Sequence, residues 1–439
     1  MQADKTTLTD LSIFNADEEQ SILKLLNFTK TVGGKDWLRH FLSTPHNSIE
    51  AISHTQQVIR KIGSVQDQWE RNIITNGTIM VIERFYETPL DEIPSAPGLV
   101  GSISYRLFSS ADYSLVRYSV KHFVDFLLGM QQVVELLEDE TNPLQLKILL
   151  DRTVLRLNKA GLQPLLKDAA SKDISNKKML ALGYFFKRRF KEEVFELIEV
   201  YSKLDAYYSM AVACRRYNFV FPAFTEGDTP AVTAKQLYHP LLYTPVAYDV
   251  SLSRDNNFLF LTGANMAGKS TFIKAVGVSV YLAHTGMGVP AQEMQLTLFD
   301  GLLSNINVVD NIIQGESYFY NEVQRIKKTI EKINDGKKWL ILIDELFKGT
   351  NVQDAMKCSS TVIEGLRKMN NSLFILSTHL YEIGDALKVY PNIQFKYFET
   401  SVENDQLQFS YQLKDGISND RLGYLILKRE GVVEMLEKL

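Results

Sequence analysis

The chain has 439 residues, 45% hydrophobic and 23% charged, which is core material for two or three domains of an ordinary globular protein. A net charge of −4 gives no global attraction to nucleic acid, so any such contact needs a local basic patch or encirclement. Two cysteines, Cys214 and Cys358, lack CxxC or histidine spacing and point to neither a disulfide framework nor a zinc site.

The opening MQADKTTLTDLS has no basic region followed by an apolar run, and no apolar stretch approaches about 18 residues. A cytoplasmic protein without membrane association is expected. The first third reads as helical. Ile22, Leu23, Leu25, Leu26, Trp37, Leu38, Phe41 and Leu42 recur at helical spacing, with Gly33 and Gly34 read as a break between two helices. Beyond the connection Pro89 to Pro97, long amphipathic helices are expected over Tyr113 to Glu140 and Asn176 to Arg216. One stretch is basic: Lys172, Lys177, Lys178, Lys187, Arg188, Arg189 and Lys191 stand against Asp173, with Tyr184, Phe185 and Phe186 interleaved. Such a run suits a phosphate-contacting surface and equally a solvated helix face.

At FPAFTEGDTPAV the composition turns loop-rich, and short apolar runs then alternate with helices. The chain therefore divides into an all-α domain, 1–222, and an α/β domain with a mostly parallel sheet, 223–439. The second domain holds FLFLTGANMAGKST: a strand from Phe258 to Leu261, a glycine-rich turn, and a helix from Phe272 to Leu282. Gly263, Gly268, Lys269 and Ser270 have the GxxxxGK[ST] spacing. Glycines there let backbone N–H groups curl round an anion, the lysine reaches the outer phosphates, and the Ser270 hydroxyl can ligate Mg²⁺.

Downstream, the apolar strand WLILI ends in Asp344 and Glu345. After a phosphate loop such a pair serves to hold Mg²⁺ through Asp344 and to polarise water through Glu345, although paired acids also end plain strands. A second apolar strand, LFILS, leads to Thr378 and His379, and His379 is placed to sense the γ-phosphate. Between the phosphate loop and WLILI, Asp310, Gly315, Glu316 and Ser317 open a helix. Its Ser317 hydroxyl suits either a phosphate or an ordinary N-cap.

These motifs together resemble the MutS DNA mismatch-repair family. TGANMAGKST is similar to the family's TGPNMGGKST, ILIDELFKGTN to LxxDEIGRGTS, STHL to ATHY, and DNIIQGESYFYNEV to D-x-x-x-G-x-STF-x-x-E-M. YNFVFPAF and YHPLL (His239, Pro240) look like the lead into the family's ATPase, and TLTDLSI…SILKLLNFTKTVGGKDWLRHFLSTP is similar to the start of its lever core.

The resemblance implies an ABC-type P-loop ATPase with ATP and Mg²⁺ as cofactors. Gly263, Ala264, Asn265, Met266, Ala267, Gly268, Lys269, Ser270 and Thr271 would hold the triphosphate. Ser270 and Asp344 would hold the metal, Glu345 would be the base, His379 the γ-phosphate sensor, and Ser317 the group acting across a homodimer. Tyr411 stands where the family keeps a ring near the adenine.

Departures qualify this. Lever-like sequence starts within the opening residues, so the mismatch-reading and connector domains are expected to be absent and the DNA clamp missing or reduced. Tyr318 replaces a threonine, Ala267 a glycine, and Phe347 and Lys348 change the turn after Glu345; the C-terminal KDGISNDRLGYLILKREGV keeps part of the family's SYGIxVA pattern. The expected function is ATP-driven rearrangement of dimer and levers on DNA (mismatched, branched or non-specific duplex), without direct mismatch reading and with a downstream repair protein as a further partner. The alternative is a nucleotide-switched interaction or ribosome-associated ATPase without DNA specificity. A membrane-transporter ATPase is disfavoured by the lack of LSGGQ.

Overall fold

A computed structural model describes residues 1–15, 17–90, 92–95, 98–159, 162, 174–306, 318–403, 406–418 and 431–437. Two compact units emerge. One comprises Met1–Leu25, Thr44–Ser53 and Tyr217–Leu439; the other comprises Leu26–Ser43 and His54–Arg216. The division differs from a single cut at residue 222, because two N-terminal segments pack with the C-terminal unit.

The chain opens on β1 (Gln2–Ala3), α1 (Lys5–Asp10) and α2 (Ile22–Leu26). Helices α3 (Val32–Ser43), α4 (Ile49–Ser64), α5 (Gln66–Trp69), α6 (Asn76–Glu87), α7 (Leu99–Phe108), α8 (Ser110–Leu137), α9 (Leu144–Leu157), α10 (Asn176–Arg189) and α11 (Lys191–Arg216) follow. Among the described residues no helix is long and apolar enough to cross a membrane.

In the helical unit α11 is buried on nearly every side from Val194 to Cys214, as a central helix should be. Gly33 and Gly34 do not break a helix, as expected from sequence, but lie in the first turn of α3. Close packing is the reason: a Cβ on Gly33 would stand 2.4 Å from Ser202 Oγ, and one on Gly34 2.2 Å from Asp205 Oδ2. Asp205, fully buried on α11, accepts from Lys30 N (3.0 Å), Thr31 N (2.9 Å) and Thr31 Oγ1 (2.7 Å), which satisfies donors just ahead of α3. Burial pushes its carboxyl up, against the pull of these hydrogen bonds. Asp205→Ala strands those donors and is expected to lower stability by about 3 kcal/mol, read from the shift of the urea midpoint.

The expected long helix Asn176 to Arg216 is two helices. Phe190 leaves helical geometry at φ −129° and buries its ring beside Phe185 and Phe186, with centroids 5.5 and 6.0 Å away. The basic stretch divides likewise. Lys187 turns inward, donating to Tyr86 O (3.3 Å) and Thr88 O (3.0 Å) at the end of α6 and standing 5.1 Å over the Phe85 ring. Lys177, Lys178, Arg188, Arg189 and Lys191 remain exposed, whereas Lys172 and Asp173 lie outside the described residues.

In the α/β unit, β2 (Ala223–Thr225), β3 (Val232–Leu237), β4 (Tyr248–Leu252), β5 (Phe258–Thr262), α12 (Lys269–His284), β6 (Glu293–Thr297) and β7 (Gly301–Asn305) come first. They are followed by α13 (Tyr318–Ile333), β8 (Trp339–Asp344), α14 (Val352–Leu366), β9 (Ser372–Ser377), α15 (Glu382–Leu387), β10 (Ile393–Glu403), β11 (Gln406–Asp415) and α16 (Val432–Glu437).

The main sheet runs β1-β7-β8-β9-β5-β10-β11, parallel throughout except for the edge strand β11. β5, β7 and β9 are buried at every residue, so the uninterrupted apolar runs mark strands covered on both faces. In a smaller mixed sheet, β2-β6-β3-β4, the residues of β4 alternate between buried and exposed. The N-terminus joins the main sheet through β1. Asp10 on α1, also buried, accepts from Ser304 Oγ at 2.6 Å and Ile306 N at 3.1 Å next to β7.

Candidate nucleotide site

Three central strands end together. Register pairs Leu261 of β5 with Ser377 of β9, and Ser377 with Asp344 of β8, so the residues following each strand meet at one edge of the sheet. Ligands of open α/β sheets bind at this carboxyl edge.

The loop after β5 turns through Gly263 (φ 139°), Met266 (φ 66°) and Gly268 (φ 108°) before α12 begins at Lys269. A Cβ at Gly263 would sit 3.2 Å from Phe398 Cβ, and one at Gly268 would sit 3.4 Å from Tyr411 Cδ1, so both glycines also serve close packing on β10 and β11. Ala267 does not take a left-handed backbone, and alanine in place of the family's glycine therefore costs no strain there. Lys269 is buried, and its Nζ donates to Gly263 O and Ala264 O at 2.8 Å each. Burial lowers its pKa to about 8, partly offset by Glu345 and Asp344. A phosphate entering the loop would take the place of those two carbonyls.

Ser270 Oγ donates to Asp344 Oδ2 at 2.5 Å, and Ser377 Oγ to Asp344 Oδ1. One hydroxyl and one carboxylate converging at the mouth of a phosphate loop fit Mg²⁺, which keeps waters and shares substrate phosphates rather than filling a protein cage. No cluster of three or more His, Cys, Asp or Glu occurs among the described residues.

Glu345 begins the turn after β8 with a left-handed backbone, φ 64°. Its Oε2 lies 2.7 Å from Lys348 Nζ, and its Oε1 meets His379 Nε2. Burial works to raise this carboxyl, but the hydrogen bonds and charges of His379 and Lys348 hold it down at about 2. It is ionised and fully engaged.

These groups share a cavity of about 520 Å³ with Leu242, Thr244, Val246, Tyr248, Met266 and Tyr411. Charged groups together with aromatic and apolar ones suit a nucleotide's phosphates and base. Burial and the neighbouring Tyr411 push the Tyr248 hydroxyl up to about 12, so it stays protonated and can donate.

Of the residues expected from sequence, Asn265, Met266, Gly268, Lys269, Ser270, Thr271, Asp344, Glu345, His379 and Tyr411 all border the cavity. Gly263 and Ala264 lend carbonyls to Lys269, and Ala267 is buried beneath the loop. Ser317, with Asp310, Gly315 and Glu316, lies outside the described residues, as does 419–430 of the C-terminal stretch. The sequence reading missed the β3–β4 loop, Leu242 to Val246, together with Tyr248. The only signal was their position shortly after His239 and Pro240.

Comparison with known proteins fits this geometry. The family model "MutS domain V" matches residues 259–436. A "DNA mismatch repair protein MutS" of Petrotoga mobilis is 28% identical over 61% of this chain and 32% of its own length. The protein of the same name from Pseudothermotoga lettingae is 31% identical over 52% of this chain and 28% of its own length. Human "MutS protein homolog 4" is 31% identical over 52% of this chain and 25% of its own length. The chain thus spans about a third or less of the curated relatives it matches.

Proposed function

We propose, on the premise that this chain is a MutS-family protein, that it is a Mg²⁺-dependent P-loop ATPase of the ABC type. It would hydrolyse ATP to ADP and phosphate and pass the nucleotide state to a helical unit that engages DNA. The observation that carries this reading is the register of β5, β8 and β9, which sets Lys269, Asp344, Glu345 and His379 around one cavity.

Lys269 exchanges the carbonyls of Gly263 and Ala264 for phosphate oxygens when ATP enters. Mg²⁺ held by Ser270 and Asp344 would neutralise charge developing on the phosphates. Glu345 in its resting pairing is too acidic to take a proton readily, because general bases work best with a pKa near the operating pH. A γ-phosphate competes for both Lys348 and His379. Once they turn to it, Glu345 is freed to orient and polarise the attacking water, with His379 on the γ-phosphate.

Tyr248 and Tyr411 would be the rings next to the adenine, and Ser317 of a second copy would complete the site in a homodimer. The latter rests on the motif resemblance.

The carbonyl of His284, the last residue of α12, accepts from His46 N at 2.7 Å, in the segment Thr44–Ser53 where α4 begins. Lys177, Lys178, Arg188 and Arg189 are the exposed basic groups best suited to DNA phosphates. The names of the matched relatives favour DNA over the docking-protein alternative.

Gel shifts on perfect, mismatched and branched duplexes test the DNA limb. Binding should weaken steeply between about 50 and 200 mM salt, and replacing Arg188 and Arg189 by alanine should flatten the log–log salt slope by roughly 2. Absence of binding to every duplex at the lowest salt would remove DNA from the proposal.

A further inference from the structure

Glu345 and Phe347 both take left-handed backbone, φ 64° and 59°, in the turn that carries Lys348. Residues with a Cβ keep such a conformation only where their surroundings over-determine it. Helix α13 supplies the restraint. Glu322, 4% exposed, faces the turn: its Oε1 accepts from Lys348 N at 3.3 Å and its Oε2 from Gly349 N at 3.4 Å. Successive backbone N–H groups curled round an anion form a nest, and here the protein's own carboxylate fills it. One turn earlier on α13, Phe319 rests against Phe347, with ring centroids 5.7 Å apart. The helix therefore grips the turn twice, through a polar and an apolar contact.

We infer that Glu322 is a positioning residue for ATP hydrolysis. By holding the N–H groups of Lys348 and Gly349 it fixes the backbone of the turn from which Glu345 and Lys348 reach the site, so turnover depends on where α13 lies. This rests on reading the cavity as an ATPase site. The coupling is reciprocal: a buried carboxylate withdrawn from its donors is costly, so helix and turn shift together or not at all. Burial pushes the Glu322 carboxyl up and the same N–H groups oppose it, in keeping with an anion that needs the nest. Phe347 explains why this chain needs the grip, since a glycine there would adopt the left-handed backbone unaided.

The test uses the full chain and measures ATP turnover alongside equilibrium binding of a fluorescent ATP analogue. Glu322→Gln keeps the side-chain volume but turns an NH₂ group toward N–H donors, and kcat should fall about 10- to 100-fold with nucleotide affinity unchanged. A merely structural role would weaken binding and turnover together. Wild-type kcat in Glu322→Gln, or a parallel loss of affinity, overturns the inference. Should Glu322→Gln not fold, Glu322→Asp, one methylene too short to reach, is read in the same way. A wild-type chain that hydrolyses no ATP would remove the ATPase reading and this inference with it, before any Glu322 variant is considered.

Discussion

Glu345→Gln is expected to reduce ATP turnover by about 10²- to 10⁴-fold, the usual worth of a positioned general base, while ATP still binds. The glutamine keeps the shape that fits between Lys348 and His379 but has no anionic oxygen to polarise water. Binding should survive because Lys269, Ser270 and the loop amides are untouched. Loss of the negative charge also weakens what Glu345 offers Lys348 and His379, which should if anything tighten the hold on the γ-phosphate. Phosphate release in a single turnover, measured beside equilibrium binding of a fluorescent ATP analogue, separates the two effects. Equal release by variant and wild type would remove Glu345 from the role of base.

Lys269→Ala should act on the other quantity. Its ammonium is the buried positive charge at the phosphate end, poised on the carbonyls of Gly263 and Ala264. In a site shielded from water a cation's attraction for phosphate is far stronger than at the surface. Affinity for ATP is expected to fall by about 100-fold or more, consistent with loss of a charge-assisted hydrogen bond plus the repulsion it offset. Adenosine, which has no phosphates, should bind variant and wild type alike; equilibrium binding of ATP and adenosine to both proteins checks this. If ATP affinity is unchanged, the lysine is not a phosphate ligand.

The candidate site was legible in the sequence because its residues lie at strand ends, and the apolar runs 258–261, 339–343 and 373–377 announce the strands β5, β8 and β9. That the sheet is mostly parallel was readable, whereas the register that brings Asp344 level with Ser377 and the strand order were not. What escaped the sequence was set by tertiary contact. Gly33 and Gly34 carry the local signature of a helix break, yet they mark close packing on Ser202 and Asp205. The split at Phe190 follows from burial of one ring inside an otherwise helical pattern. A two-residue strand such as β1 has no periodicity to read, so the membership of Met1–Leu25 in the α/β unit was invisible. The departures from the family motif are explained unevenly. Ala267 meets no strain, whereas Phe347 sits where glycine would be relaxed and is retained by Phe319 and Glu322.

The most direct measurement is phosphate release by the purified full chain at saturating Mg-ATP, followed across a range of protein concentrations and with the metal chelated. The account predicts turnover that disappears with the chelator and whose rate per chain climbs with concentration, as a second copy completes the site. A chain that binds ATP yet releases no phosphate above background at any concentration would contradict it.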